Sequence, residues 1–107
     1  MTVETLLQHG FQAVTLPEGD REINGAYMGD LLSWVMGRAM ADNAWITIMS
    51  NVNVVAVASL ADVACVILCE GVELPEDVKA TAEQKGINIL ATELPAYEAA
   101  VQLSQLI

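Results

Sequence analysis

Trp45-Ile46-Thr47-Ile48-Met49 and Val63-Ala64-Cys65-Val66-Ile67-Leu68-Cys69 are two apolar runs, and polar pairs flank them: Asp42-Asn43 and Ser50-Asn51 around the first, Glu70-Gly71 after the second. Both are short, rich in β-branched or aromatic residues, and predict strands. Strands this apolar are buried on both faces, which is the mark of parallel strands joined by a helical crossover. The piece between them, Val54–Ala61, is ambiguous by composition. Its valines favour a strand, whereas the alanines at 56, 58 and 61 behind Asn53 as a cap allow a helix. The rhythm of the two flanking strands selects the helix.

The same alternation continues in both directions. After Glu70-Gly71, Pro75 sits where a first helical turn tolerates it, Glu76 and Asp77 follow at the positive helix end, and Gly86 terminates beyond Lys85. Ile87–Ala91 reads as a short strand, and Ala96–Leu106 as an amphipathic helix. Upstream, Asp30 is placed to cap a helix whose apolar residues run from Leu31 to Met40, preceded by an extended segment at Ile23–Met28. Residues 1–18 form a leader, with a helix at Val3–Gln8 capped by Thr2 and a strand at Phe11–Leu16, closed by a turn over Pro17–Asp20. This order predicts an α/β fold in a single small domain, a mostly parallel sheet with helices on both faces.

At 107 residues there is room for one core, and 54% hydrophobic content supplies enough apolar surface to build it. Four Lys and Arg against fourteen Asp and Glu leave a net charge of −10, which excludes nucleic acid and anionic membrane surfaces as partners. The richest apolar stretch, Val52–Cys69, is interrupted by Asn53, Ser59 and Asp62, so no membrane span is expected. No basic flank with an apolar run marks the N-terminus for secretion, and the expected location is the cytoplasm. Cys65 and Cys69 on one strand would lie about 13 Å apart, beyond disulfide reach, and read as buried, inert thiols. With His9 as the sole histidine, they also fall short of a zinc ligand set. Glu70, Glu73, Glu76 and Asp77 crowd one segment without the spacing of a calcium loop and read as a solvated face. Neither a metal nor a cofactor is expected.

Ligands of open parallel sheets lie outside the carboxyl ends of the strands. The candidate ligand-binding residues are therefore Gly29, Asp30, Asn51, Asn53, Gly71 and Thr92. An acid at position 30 repels phosphate, so a phosphate would use Gly71 or the Asn51–Asn53 loop instead. Asn51 and Asn53 also read as side chains that cap the next helix or hold a turn. No catalytic residue is assigned: His9 alone titrates near neutrality, and it lies in the leader. Tyr27, Trp34 and Trp45 read as core, or as an interface where exposed.

Gly25-Ala-Tyr-Met-Gly-Asp-Leu-Leu-Ser-Trp-Val-Met-Gly37, Trp45-Ile-Thr-Ile48, Asn53-Val-Val-Ala-Val-Ala58 and Ile87-Asn-Ile-Leu-Ala-Thr92 together resemble the DRTGG domain family, from about residue 19 to the end. Asp20 and Arg21 match the namesake motif, while Glu22-Ile23-Asn24-Gly25 stands in place of its Thr and Gly pair. The resemblance implies a small α/β domain similar to the N-terminal regulatory domain of HPr kinase/phosphorylase, of a kind that accompanies CBS domains or acyl-phosphate-using enzymes or stands alone beside redox-enzyme genes. A kinase activity is excluded, because neither Lys79 nor Lys85 follows a GxxxxGK phosphate cradle. The expected function is a non-catalytic regulatory or accessory module that senses a small ligand such as a nucleotide, or docks onto a larger metabolic or redox enzyme. The alternative is a small enzyme acting on a phosphorylated or acyl substrate. The apolar surplus in a short chain predicts a homodimer, through Tyr27, Met28, Trp34 and Val54.

Overall fold

The structure is a computed structural model and describes all 107 residues. A 3-10 helix at Glu4–Gln8 leads into β1 (Gln12–Thr15). There follow β2 (Gly25–Met28), α1 (Leu32–Arg38), β3 (Asn43–Thr47), α2 (Val52–Ala61), β4 (Cys65–Leu68), α3 (Glu76–Lys85), β5 (Ile89–Ala91) and α4 (Ala96–Ser104). One five-stranded sheet runs in the order β1-β5-β4-β3-β2. Neighbours from β2 to β5 are parallel, with Tyr27 opposite Trp45, Trp45 opposite Val66 and Val66 opposite Ile89. β1 joins antiparallel at the margin, Gln12 opposite Ala91. The mostly parallel α/β sheet expected from the sequence is thus the observed one.

The parallel strands always advance in one direction across the sheet, so right-handed crossovers stack α1, α2 and α3 on a single face. The 3-10 helix and α4 cover the other. Side chains of each strand alternate between the two. Ala44, Ile46, Cys65, Ile67 and Leu90 pack with Leu6, Phe11 and Leu103, while Trp45, Val66, Leu68 and Ile89 pack with Val35, Val54, Val55 and Val78. Full burial of each such aliphatic side chain contributes about 1.5–3 kcal/mol, and this explains why the central strands are apolar throughout.

Several boundaries differ from the sequence reading, each for a local reason. β3 ends at Thr47 because the Ile48 amide turns to the Asp30 carboxylate and the Met49 amide to Thr47 Oγ1. β4 starts at Cys65, since Val63 N still donates to Ala58 O in the closing turn of α2, beyond which Asp62 is left-handed. α1 is only seven residues long and ends at an extended Ala39; Gly37 near its end weakens helix formation. The leader is a 3-10 helix that Thr2 does not cap; Thr2 Oγ1 shares a hydrogen bond with Thr5 Oγ1 at 2.7 Å. Pro75 is the N-cap of α3 rather than its first helical residue.

Candidate functional site

A cleft of about 400 Å³ opens at the carboxyl ends of β4 and β5, where the antiparallel β1 brings its first residue to the same edge. Gly71, Val72, Glu73 and Leu74 line it from the β4–α3 loop, Glu76 and Lys79 from α3, Thr92 and Glu93 from the end of β5, and Gln12 and Val14 from β1. Glu70 and Gly71 both have left-handed backbones, φ 63° and 69°. A Cβ at Gly71 would collide with the Glu93 carboxylate, so glycine serves both the backbone and the close approach here.

The structure brings Gly71 and Thr92 together: the Gly71 amide donates to Thr92 O at 3.0 Å. That bond turns the Gly71 amide into the fold. Glu70 N donates to Leu94 O and Val72 N to Cys69 O, so the amides of Glu70, Gly71 and Val72 are occupied inside the fold. Three carboxylates, Glu73, Glu76 and Glu93, face one ammonium, Lys79. Thr92 is buried, and its Oγ1 accepts from Leu94 N at 3.2 Å. Chemically the cleft offers carboxylates, a hydroxyl, an amide side chain and one cation around an apolar floor. That is a lining for polar recognition. Gln12 and Val14 escaped the sequence reading because nothing local reveals that β1 closes on β5, and Lys79 because its position reads only as part of a helix.

The other candidate residues lie elsewhere along the same edge. Gly29 N donates to Ile46 O, and Gly29 O accepts from Trp45 Nε1 at 2.9 Å. Asp30 does not cap α1, whose N-cap is Leu31; its Oδ1 accepts from Thr47 Oγ1 at 2.7 Å and Ile48 N at 3.0 Å. Asn51 caps α2 by accepting from Asn53 N at 3.0 Å, and Asn53 sits exposed in the first turn. Met28 and Trp34 are exposed and Tyr27 is half-buried, whereas Val54 lies in the core with no surface to offer a partner. Its expected place in an interface is corrected accordingly. His9 borders a separate, shallower hollow of about 340 Å³ with Tyr97, Glu98 and Gln102 of α4.

Arg21, from the Asp-Arg pair, works at the opposite end of the sheet. Its Nη2 lies 3.0 Å from Asp42 Oδ1 and 2.8 Å from Asp62 Oδ1, and it also donates to Asp62 O. Asp42 and Asp62 both have left-handed backbones, in the loops entering β3 and β4. The arginine therefore ties two neighbouring loops together and is remote from the carboxyl-end cleft. Burial opposes its charge, but the hydrogen bonds to Asp62 and Asp42 prevail and raise its pKa above the ordinary arginine value. Nowhere do three His, Cys, Asp or Glu side chains converge as a metal site would need, and no helix is long and apolar enough to cross a membrane.

Among solved structures, the chain is similar to the CBS and DRTGG domains of the regulatory region of Clostridium perfringens pyrophosphatase, complexed with its activator, diadenosine tetraphosphate. The TM-score is 0.71 at 14% identity, over 95% of this chain and 45% of that one. This chain thus matches less than half of the length of that neighbour. No curated protein matches it. The sequence profile of the DRTGG domain matches residues 13–106, which takes in β1 except Gln12 and every element from β2 to α4. A match over nearly the whole length, on a fold shared with a solved DRTGG region, means that the chain belongs to the DRTGG domain family.

Proposed function

We propose that the chain is a non-catalytic regulatory module of the cytoplasm that binds a small ligand in the carboxyl-end cleft and passes the occupancy on through a protein partner. The cleft itself carries this reading: it lies where α/β sheets take ligands, and it is lined by Gln12, Gly71, Lys79, Thr92 and Glu93. Family membership supports the regulatory role, and the activator in the solved neighbour supports a nucleotide as the first ligand to try. The lining sets a condition on how a nucleotide sits. With three carboxylates inside, the base and ribose enter, and the phosphates stay at the mouth near Lys79.

The partner in this reading is a second copy of the chain, with a larger enzyme docked on the pair. The solved neighbour supports the enzyme, because its DRTGG domain belongs to the regulatory region of one. Amide chemical shifts recorded during titration with adenosine nucleotides and diadenosine tetraphosphate test the ligand reading. Saturable shifts at Gln12, Gly71 and Thr92, weakened by Lys79→Met, are expected. Shifts confined to other surfaces, no shifts at millimolar nucleotide, or conversion of the nucleotide during the titration would each overturn it.

A further inference from the structure

The charges of this chain are unevenly placed. From Gly25 to Ala61 the only charged residues are Asp30, Arg38 and Asp42. Each is already engaged: Asp30 by Thr47 and Ile48 N, Asp42 by Arg21, and Arg38 stacked 3.8 Å over the Trp34 ring. The same stretch holds most of the exposed large apolar side chains, among them Met28, Leu31, Trp34, Met36, Met40 and Ile48. Eleven of the fourteen acids lie outside it or its boundary loop, so a chain of net charge −10 has one margin where a like-charged copy meets little repulsion.

That margin ends in an open strand. β2 is the last strand of the sheet and pairs only with β3. Edge strands are ordinarily guarded by Lys, Pro or a bulge, and Gly25-Ala26-Tyr27-Met28 has none of these. The opposite edge differs: β1 has a register shift between Ala13 and Thr15, and α3 packs against it. On β2, Gly29 N donates inward to Ile46 O at 3.1 Å, so the pleat points Gly25 and Tyr27 at β3 and turns the main-chain groups of Ala26 and Met28 outward.

We propose that β2 pairs antiparallel with β2 of a second copy, Gly25 opposite Tyr27 about a two-fold axis at Ala26, so that two sheets become one and the apolar margins of both copies are covered. This rests on the dimer proposed above and adds its surface and register. The register is specific, because Ala26 then exchanges both main-chain hydrogen bonds with its own counterpart, about 5.5 Å away between Cα atoms and within disulfide reach. Ala26 is exposed, and the native Cys65 and Cys69 are buried and do not compete.

Sedimentation equilibrium and mild oxidation test the pairing, with Ala26→Lys and Ala26→Cys as variants and Ser59→Cys, on the exposed side of α2, as control. The wild type is expected at twice the 11.4 kDa of one chain. Ala26→Lys, folded by circular dichroism, should dissociate at least tenfold more readily, and Ala26→Cys should cross-link while the control does not. A wild type that sediments as one chain at low and high salt overturns both the dimer and the pairing. A wild-type dimer in which Ala26→Cys fails to cross-link leaves the dimer standing on another surface and overturns the pairing alone.

Discussion

The Thr47 hydroxyl donates to the Asp30 carboxylate at 2.7 Å, joining the end of β3 to the loop that leaves β2. Thr47 is buried, and its oxygen also accepts from Met49 N at 3.2 Å. One side chain thus sets where both strands stop. Thr47→Val removes both bonds and leaves part of the Asp30 carboxylate unsatisfied, with an expected loss of about 1–3 kcal/mol in urea unfolding. Asp30→Asn keeps an acceptor and should lose less than half as much. Equal losses would show that the charge, and not the hydrogen bond, matters.

Arg21 bridges Asp42 and Asp62, and its side chain is mostly buried while both acids are largely exposed. Solvent reduces the value of such pairs, so Arg21→Ala is expected to cost about 1–2 kcal/mol. Lysine reaches one acid but lacks the fork that spans two, so Arg21→Lys should recover little of this. Thermal unfolding of the two variants beside the wild type checks the order.

Burial pushes the Cys65 thiol up to about 12 and, with the nearby Asp30 and Glu70 charges, the Cys69 thiol up to about 11. Both thiols ordinarily titrate near 9. Between pH 9 and 11 the unfolded chain has lost protons that the folded chain retains, so stability must fall as pH rises. The slope is at most about 1.4 kcal/mol per pH unit for each thiol. Chemical denaturation at pH 8 and pH 10 measures it in wild type against Cys65→Ala/Cys69→Ala, which should lose the extra slope. At pH 8 neither thiol should react with a disulfide reagent faster than the chain unfolds.

The two asparagines ahead of α2 separate cleanly. Asn51 accepts from Asn53 N as the helix cap, whereas the Asn53 side chain is exposed in the first turn. Asn51→Ala should destabilise by about 1 kcal/mol and Asn53→Ala by a few tenths at most. If Asn53→Ala is the costlier substitution, the cap is misassigned.

What the sequence revealed and what it concealed follow from the range of the forces involved. The β-α-β alternation was legible because burial on both faces writes itself into Trp45–Thr47 and Cys65–Leu68 as unbroken apolar runs. The α3 signature was legible too, since Gly86 carries a left-handed φ of 75° where a helix stops. Asp30 was misread because a cap and a long-range acceptor look identical in one dimension; Thr47 lies seventeen residues away. Val54 was misread for a related reason, as only the packing of α2 reveals which of its valines turn inward. Of the eleven residues that line the candidate site, Gly71 and Thr92 were anticipated. Gln12 and Val14 depend on β1 returning to β5, a pairing that no local pattern encodes.

That return also dictates an order of events. β1 leaves the ribosome well before β5, yet Gln12 must find Ala91. β2 to β5 can assemble one neighbour at a time as they are made, while β1 waits for a closure whose entropy costs about 4 kcal/mol on loop-length grounds. The last structure to form is therefore the wall of the cleft that carries Gln12 and Val14. A nascent chain, or one fraying at this margin, would hold a complete parallel sheet and still be unable to close around a ligand.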